Sequence, residues 1–228
     1  MKREELTNEN RRDFLRRSLL LTAFSAIAAS CRAQTRRQST TAAKQLRRVG
    51  APCEGCEGIY EGMPENLSWQ TAIADAKEPG ERMEISGVIY KPDGKAPAPD
   101  VILYLYHTDS KGFYSPAPGA TGNARRHGHL RGWMKTNARG EYKFASIRPA
   151  SYPESRNPQH IHPILKEPDT NEYWIDEYVF EDDLLVTKEH RASLKNYGGS
   201  GVIRLTKQNG VWIGKRDITL GLNIPNYN

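Results

Sequence analysis

The chain has 228 residues, 26% charged and 37% hydrophobic, with 14 prolines and 19 glycines: enough apolar residues for the core of one domain, and too many turn formers for a helical bundle. Its formal charge of +6 is uneven, because residues 1–30 carry six Lys or Arg against four acids, residues 32–48 carry six and no acid, and residues 49–228 hold 21 basic and 23 acidic groups. The body therefore offers no electrostatic footprint for nucleic acid.

In chain order, Asn10 to Arg17 read NRRDFLRR, and Ser18 to Ser30 form an uncharged stretch of 13 residues, shorter than the roughly 20 a membrane-crossing helix needs. Residues 1–30 are thus expected to be a signal peptide, and Arg11 and Arg12 followed by Phe14 and Leu15 resemble a twin-arginine export signal. Cys31, after Ala28, Ala29 and Ser30, resembles a bacterial lipobox with Ala28 where a branched residue is usual. Two outcomes stay open: acylation of Cys31, which tethers the protein to a membrane, or ordinary cleavage near Ala33. Either way the protein is expected outside the cytoplasm, periplasmic or as a membrane-anchored lipoprotein. Residues 31–48 have no hydrophobic period and read as a basic flexible tether, so the folded domain is expected over 49–228. Cys53 and Cys56, flanked by Pro and Gly, read as a local disulfide rather than a redox helix start.

Short runs rich in β-branched and aromatic residues follow: Glu84 to Tyr90, Val101 to His107, Glu141 to Ile147, Tyr173 to Phe180, Gly201 to Leu205 and Asp217 to Leu222. Several alternate apolar and polar, and PDGK, TDSKG and NARGE supply turns between them. The expected fold is all-β, a β-sandwich with long loops and short helical turns around Ser68 to Ala76 and Asp182 to Leu194.

Four of the six histidines form two His-x-His pairs, His127 with His129 and His160 with His162. On a strand, residues i and i+2 share a face, so such a pair can offer two imidazoles to one metal. His160 leads into the apolar Pro163-Ile164-Leu165 and suits a strand, whereas His127 lies in a Gly- and Arg-rich stretch that reads as a loop. Tyr114 and Tyr152 close two turns upstream, and phenolate is a hard anionic ligand suited to ferric iron. Copper or zinc held by the four histidines is the competing arrangement. A non-catalytic exported β-sandwich that binds a partner through its surface is the competing function.

The stretch Thr136-Asn137-Ala138-Arg139-Gly140-Glu141-Tyr142-Lys143-Phe144, then Ser146 to Tyr152, then His160-Ile161-His162, is similar to the intradiol ring-cleavage dioxygenases. Tyr106 to Tyr114 resembles that family's aromatic strand ending in Gly-x-Tyr, and Arg216 to Pro225 its closing strand. The resemblance runs from about Leu67 to Tyr227 and implies one non-haem Fe(III) per chain. It implies Tyr114 and His160 as equatorial ligands, with Tyr152 and His162 axial. It further implies a small aromatic diol and O2 as substrates, chelation of the diol with displacement of Tyr152, and cleavage between the two hydroxyl-bearing carbons to a cis,cis-muconate. A charge-stabilising arginine is expected near the ligands. Asn157 stands in its usual place, with Arg156 one position earlier, and Arg131 is the second candidate. Ala150 replaces a customary glycine two residues before Tyr152. Residues 1–48 leave no room for the helical N-terminal dimerisation segment of cytosolic members, and oligomeric state stays open.

Overall fold

The computed structural model describes residues 45–227; the expected signal peptide, Cys31 and the greater part of the expected tether lie outside them. Twelve strands follow one another: β1 Gln70–Ala72, β2 Arg82–Tyr90, β3 Ile102–His107, β4 Arg131–Lys135, β5 Glu141–Ile147, β6 His160–Lys166, β7 Glu172–Trp174, β8 Tyr178–Phe180, β9 Val202–Ile203, β10 Leu205–Gln208, β11 Val211–Lys215 and β12 Ile218–Thr219. They form two sheets. One has the order β1-β5-β2-β11-β10 with β12 also on β2, and the other β4-β3-β6-β8-β9 with β7 also on β6. The helical elements are a 3-10 turn over Cys56–Tyr60, α1 Gly122–Arg126 and α2 Lys188–Ser193, the last capped by the Thr187 side chain accepting from His190 N.

The alternation read in the sequence is what closes the sandwich. In β2, Met83, Ile85 and Ile89 point inward, and Tyr142 and Phe144 of β5 join them against Leu103 and Leu105 of β3 and Ile161 and Leu165 of β6. The second sheet is covered on its outer face as well. Tyr104 and Ile164 lie under Cys56 and Ile59 of the 3-10 turn, with Tyr106, Trp133 and Trp174 packed around them. That double covering explains the nearly unbroken apolar run His160-Ile161-His162-Pro163-Ile164-Leu165. Residues Cys53 and Cys56 are disulfide-bonded, and the Trp133 indole donates to the Ile59 carbonyl, which holds this cover down.

Three expectations change. The helical turn around Ser68 to Ala76 is instead the edge strand β1, whose three residues pair parallel with Lys143 to Ala145 and are too few to display a period. The run Tyr173 to Phe180 divides into β7 and β8, which pair with opposite ends of β6. The break is at Asp176, whose carboxylate accepts from the backbone of Asn196 and Tyr197. Likewise, Gly201 to Leu205 divides between the sheets, with Ile203 in one and Leu205 in the other. Ordered contacts also begin within the expected tether, since Arg47 donates to the Asp169 carboxylate and to the Tyr227 carbonyl.

His107 is buried in the sandwich interior, donating from one ring nitrogen to the Thr108 carbonyl while the other meets the Ser146 hydroxyl. Burial pushes its pKa down to about 4, against about 6.5 in an unfolded chain. As pH falls from 6.5 toward 4 the unfolded chain takes up a proton that the folded one refuses, so stability drops across that window. Urea unfolding at pH 6.5 and 5.0 is expected to show a lower midpoint at pH 5.0, and His107→Gln is expected to reduce the pH dependence.

Candidate metal centre

The antiparallel register of β3 and β6 places Tyr106 opposite His162, and β6 projects His160 and His162 from one face, the outer face of the second sheet. Two loops bring the tyrosines there. In the first, the Asp109 carboxylate accepts from Lys111 N, Phe113 N and the Ser115 hydroxyl, a turn that ends at Tyr114. In the second, Thr108 donates to the Ala150 carbonyl and Ala150 N to Asp109 O, so the Tyr152 loop is tied to the Tyr114 loop. The two loops touch at Gly112, which has φ 87°; a side-chain Cβ there would lie 2.2 Å from the Ser151 carbonyl oxygen. Ala150 serves in the customary glycine slot without a positive φ.

The four donor atoms meet in a closed ring. Tyr114 Oη lies 2.8 Å from Tyr152 Oη, which is 2.9 Å from His160 Nε2; that atom is 3.1 Å from His162 Nε2, which is 2.7 Å from Tyr114 Oη. The outer partners fix the tautomers. His160 Nδ1 donates to the Pro158 carbonyl and His162 Nδ1 to the Glu177 carboxylate at 3.0 Å, which leaves both Nε2 lone pairs aimed inward. Four short contacts are then served by only the two phenolic protons. Two lone pairs face each other with no proton between them, which is the arrangement a central cation relieves.

The electrostatics fit the same reading. Burial, reinforced by the hydrogen bond that Tyr114 donates to Tyr152, raises the Tyr114 phenol far above its usual value, and burial also raises Tyr152. Neither phenol would ionise at neutral pH without a strongly Lewis-acidic neighbour. Burial lowers the His160 pKa, keeping its lone pair available. Burial alone would raise the Glu177 carboxyl, but the hydrogen bond it accepts from His162 outweighs it and holds the group well below the usual carboxylate range, at about 2. Two phenol oxygens and two imidazole nitrogens with a carboxylate behind one of them suit a hard, highly charged ion such as Fe(III).

The second His-x-His pair takes no part in this ring. His127 Nδ1 meets the Tyr104 hydroxyl at 2.9 Å, and its ring stacks on Tyr106 at 3.8 Å, with Tyr106 stacked in turn on His162 at 4.6 Å. His129 turns the other way, donating to the Ser115 carbonyl and pairing with Glu78. Both therefore brace the site from outside. Among the described residues, the only group of three His, Cys, Asp or Glu placed to share an ion is His160, His162 and Glu177.

The two arginines part company. Arg131 lies over the Trp133 ring beside Tyr104, and its Nη1 is buried without a partner among the described residues. Arg156 sits on the exposed turn after Tyr152 and makes no hydrogen bond or ion pair among the described residues. Sequence reading missed Glu177 and Tyr106. Glu177 follows the break between β7 and β8, where no local pattern says which of two adjacent acids reaches back to a histidine. Tyr106 was legible as a strand residue but not as the plate between two imidazoles.

A β-sandwich that gathers two tyrosines and two histidines at one point on a sheet face is the frame of a non-haem metal centre. The chain belongs to the intradiol ring-cleavage dioxygenase family, the dioxygenase family model matching residues 61–197. Catechol 1,2-dioxygenase 1 of Acinetobacter lwoffii is 33% identical over 109 residues, 42% of this chain and 34% of that protein. Catechol 1,2-dioxygenase of Acinetobacter baylyi is 32% identical over 92 residues, 40% of this chain and 28% of that protein. The chain thus spans about a third of the length of the curated relatives it matches. Among solved structures, the fold is shared with a mercury-inhibited catechol 1,2-dioxygenase from Acinetobacter (20% identity, TM-score 0.52, covering 69% of this chain and 58% of that one). It is also shared with a hydroxyquinol 1,2-dioxygenase from Pseudomonas putida (17% identity, TM-score 0.52, covering 80% and 68%).

His160→Ala or His162→Ala is expected to abolish metal retention, whereas His127→Ala and His129→Ala retain it; elemental analysis of purified protein checks this. Glu177→Gln, which leaves a neutral partner behind His162, is expected to weaken metal binding by about 10- to 100-fold in a chelator competition.

Proposed function

We propose that the protein is a non-haem Fe(III) dioxygenase that cleaves a catechol-type aromatic ring between its two hydroxyl-bearing carbons with O2, giving a cis,cis-muconate-type product. The single observation that carries this reading is the closed ring of Tyr114, Tyr152, His160 and His162, in which two protons serve four contacts. One ferric ion per chain, held by these four residues, would supply Lewis acidity and draw electron density from a bound diol.

The protein's own groups divide the remaining tasks. His160 and His162 are oriented from behind by Pro158 and Glu177, so their lone pairs stay on target without a search over rotamers. Tyr114 is gripped by the Asp109 turn and by Gly128, whose would-be Cβ lies 3.0 Å from the Tyr114 backbone, so it suits a ligand that stays in place. Tyr152 leads into the exposed turn Pro153 to Asn157, so its Oη is the one suited to leave and take a proton from a diol hydroxyl. Arg156 on that same turn has an uncommitted guanidinium that can meet charge developing on the substrate, whereas Arg131 is engaged beside Tyr104 and Trp133.

The iron-loaded protein is expected to be coloured by phenolate-to-iron charge transfer and to consume O2 with catechol, protocatechuate or hydroxyquinol; a colourless protein that prefers zinc or copper would sink the assignment. Tyr152→Phe should keep iron but turn over slowly. Tyr114→Phe should lose most of the visible band as well. Arg156→Ala should lower kcat by roughly 10² with iron content unchanged; a near-normal kcat would remove Arg156 from the mechanism.

We also infer export of the folded domain, supported by the twin-arginine-like leader and by the Cys53–Cys56 disulfide, which an oxidising compartment favours. If Cys31 is acylated, the full-length protein should sediment with membranes and Cys31→Ser should release it.

A further inference from the structure

A cavity of about 480 Å3 opens against His162. Its floor is the outer face of the second sheet, where Tyr106, His162 and Ile164 stand side by side. Trp174, opposite Ile164 in the strand register, forms one wall, with Pro52 and Leu194 forming others. The walls are fixed. The Trp174 indole donates to the Pro52 carbonyl at 3.3 Å, its ring lies 5.0 Å from that of Tyr197, and the disulfide anchors Cys53 beside Pro52.

Of the four donor residues only His162 lines it, so a one-ring diol held at the metal would lie beside this space and leave it unfilled, although its volume is the size that encloses a drug-sized molecule. Its aromatic and aliphatic lining rewards apolar surface. The charged groups on it are Glu54, Asp176 and Glu177 against the single Lys195. Glu54 is offset by Arg126, Asp176 accepts from the Asn196 and Tyr197 amides and Glu177 from His162, which leaves two acids against Lys195. An anionic substituent would therefore meet net like charge.

We propose, resting on the ring-cleavage reading above, that the substrate is a catechol carrying an uncharged apolar arm about one ring in size. The arm lies along Tyr106, Ile164 and Trp174 while the diol reaches the Tyr and His ring. Specificity for the arm is set by Trp174 and Leu194, outside the ligand set.

The test uses iron-loaded protein with O2 excluded, following the visible band during titration with catechol, protocatechuate and 3,4-dihydroxybiphenyl. The biphenyl diol is expected to bind at least about tenfold tighter than catechol, the scale for burying one further ring face, and protocatechuate no tighter than catechol. Trp174→Ala and, on the cavity edge, Leu194→Glu should each bring the biphenyl-to-catechol ratio of Kd toward one; the second variant serves if the first fails to fold. A ratio near one in the unaltered protein, a ratio untouched by both variants, or protocatechuate binding tightest would overturn the proposal. If no diol perturbs the band, the ring-cleavage reading fails instead, and the cavity is judged alone in metal-free protein. There 3,4-dimethoxybiphenyl, which cannot chelate, should quench tryptophan fluorescence saturably in the unaltered protein and not in Leu194→Glu; absence of saturable quenching overturns it.

Discussion

Two phenolic protons shared among four contacts are the constraint on which the site depends. Each imidazole has its other nitrogen committed, one to a carbonyl and one to a carboxylate, so neither neutral ring can turn its proton inward without breaking a partnership. The lone pairs are thus held toward one another by bonds made elsewhere. That is preorganisation in its literal sense, because the cost of crowding the donors is met when the sandwich folds and not when an ion arrives. The sheet supplies the rigidity: β6 is hydrogen-bonded on both edges and covered on both faces.

The molecule separates stability from chemistry by face. The inner faces of the sheets form an apolar core with His107 as its one imidazole, whereas every residue of the candidate centre lies on the outer face or in the loops above it. The same strand serves both, since Ile161 enters the core between two histidines that point away from it. Alternation along β6 is therefore the device by which one seven-residue strand anchors the fold and carries half of the donor set.

Much of this was legible in the sequence. The strands β2, β3 and β5 were marked by runs rich in β-branched and aromatic residues, alternating with polar ones in β5, and His160-Ile161-His162 before an apolar run marked the strand and the face together. The two tyrosines could be picked out because both close turns, away from regular strands. What escaped had a common cause. Strand β1 is three residues long, the β7 to β8 break depends on an aspartate bonding to amides some 20 residues away, and Glu177 becomes significant only through the His162 ring it meets. Each is settled by tertiary contact, which no window of sequence contains. The disulfide was readable for the opposite reason, since its partners are three residues apart.

The stitching of the two tyrosine loops has a further consequence. Thr108 and Asp109 hold Ala150, and Gly112 abuts Ser151, so the chain entering Tyr152 is clamped to the loop that carries Tyr114. The chain leaving it, Pro153 to Asn157, is open to solvent. Tyr152 is therefore hinged at one end only. The two phenols, 2.8 Å apart and chemically alike, thus differ in how their backbones are held, so substitutions within residues 153–157 should disturb the seat of Tyr152 and spare that of Tyr114.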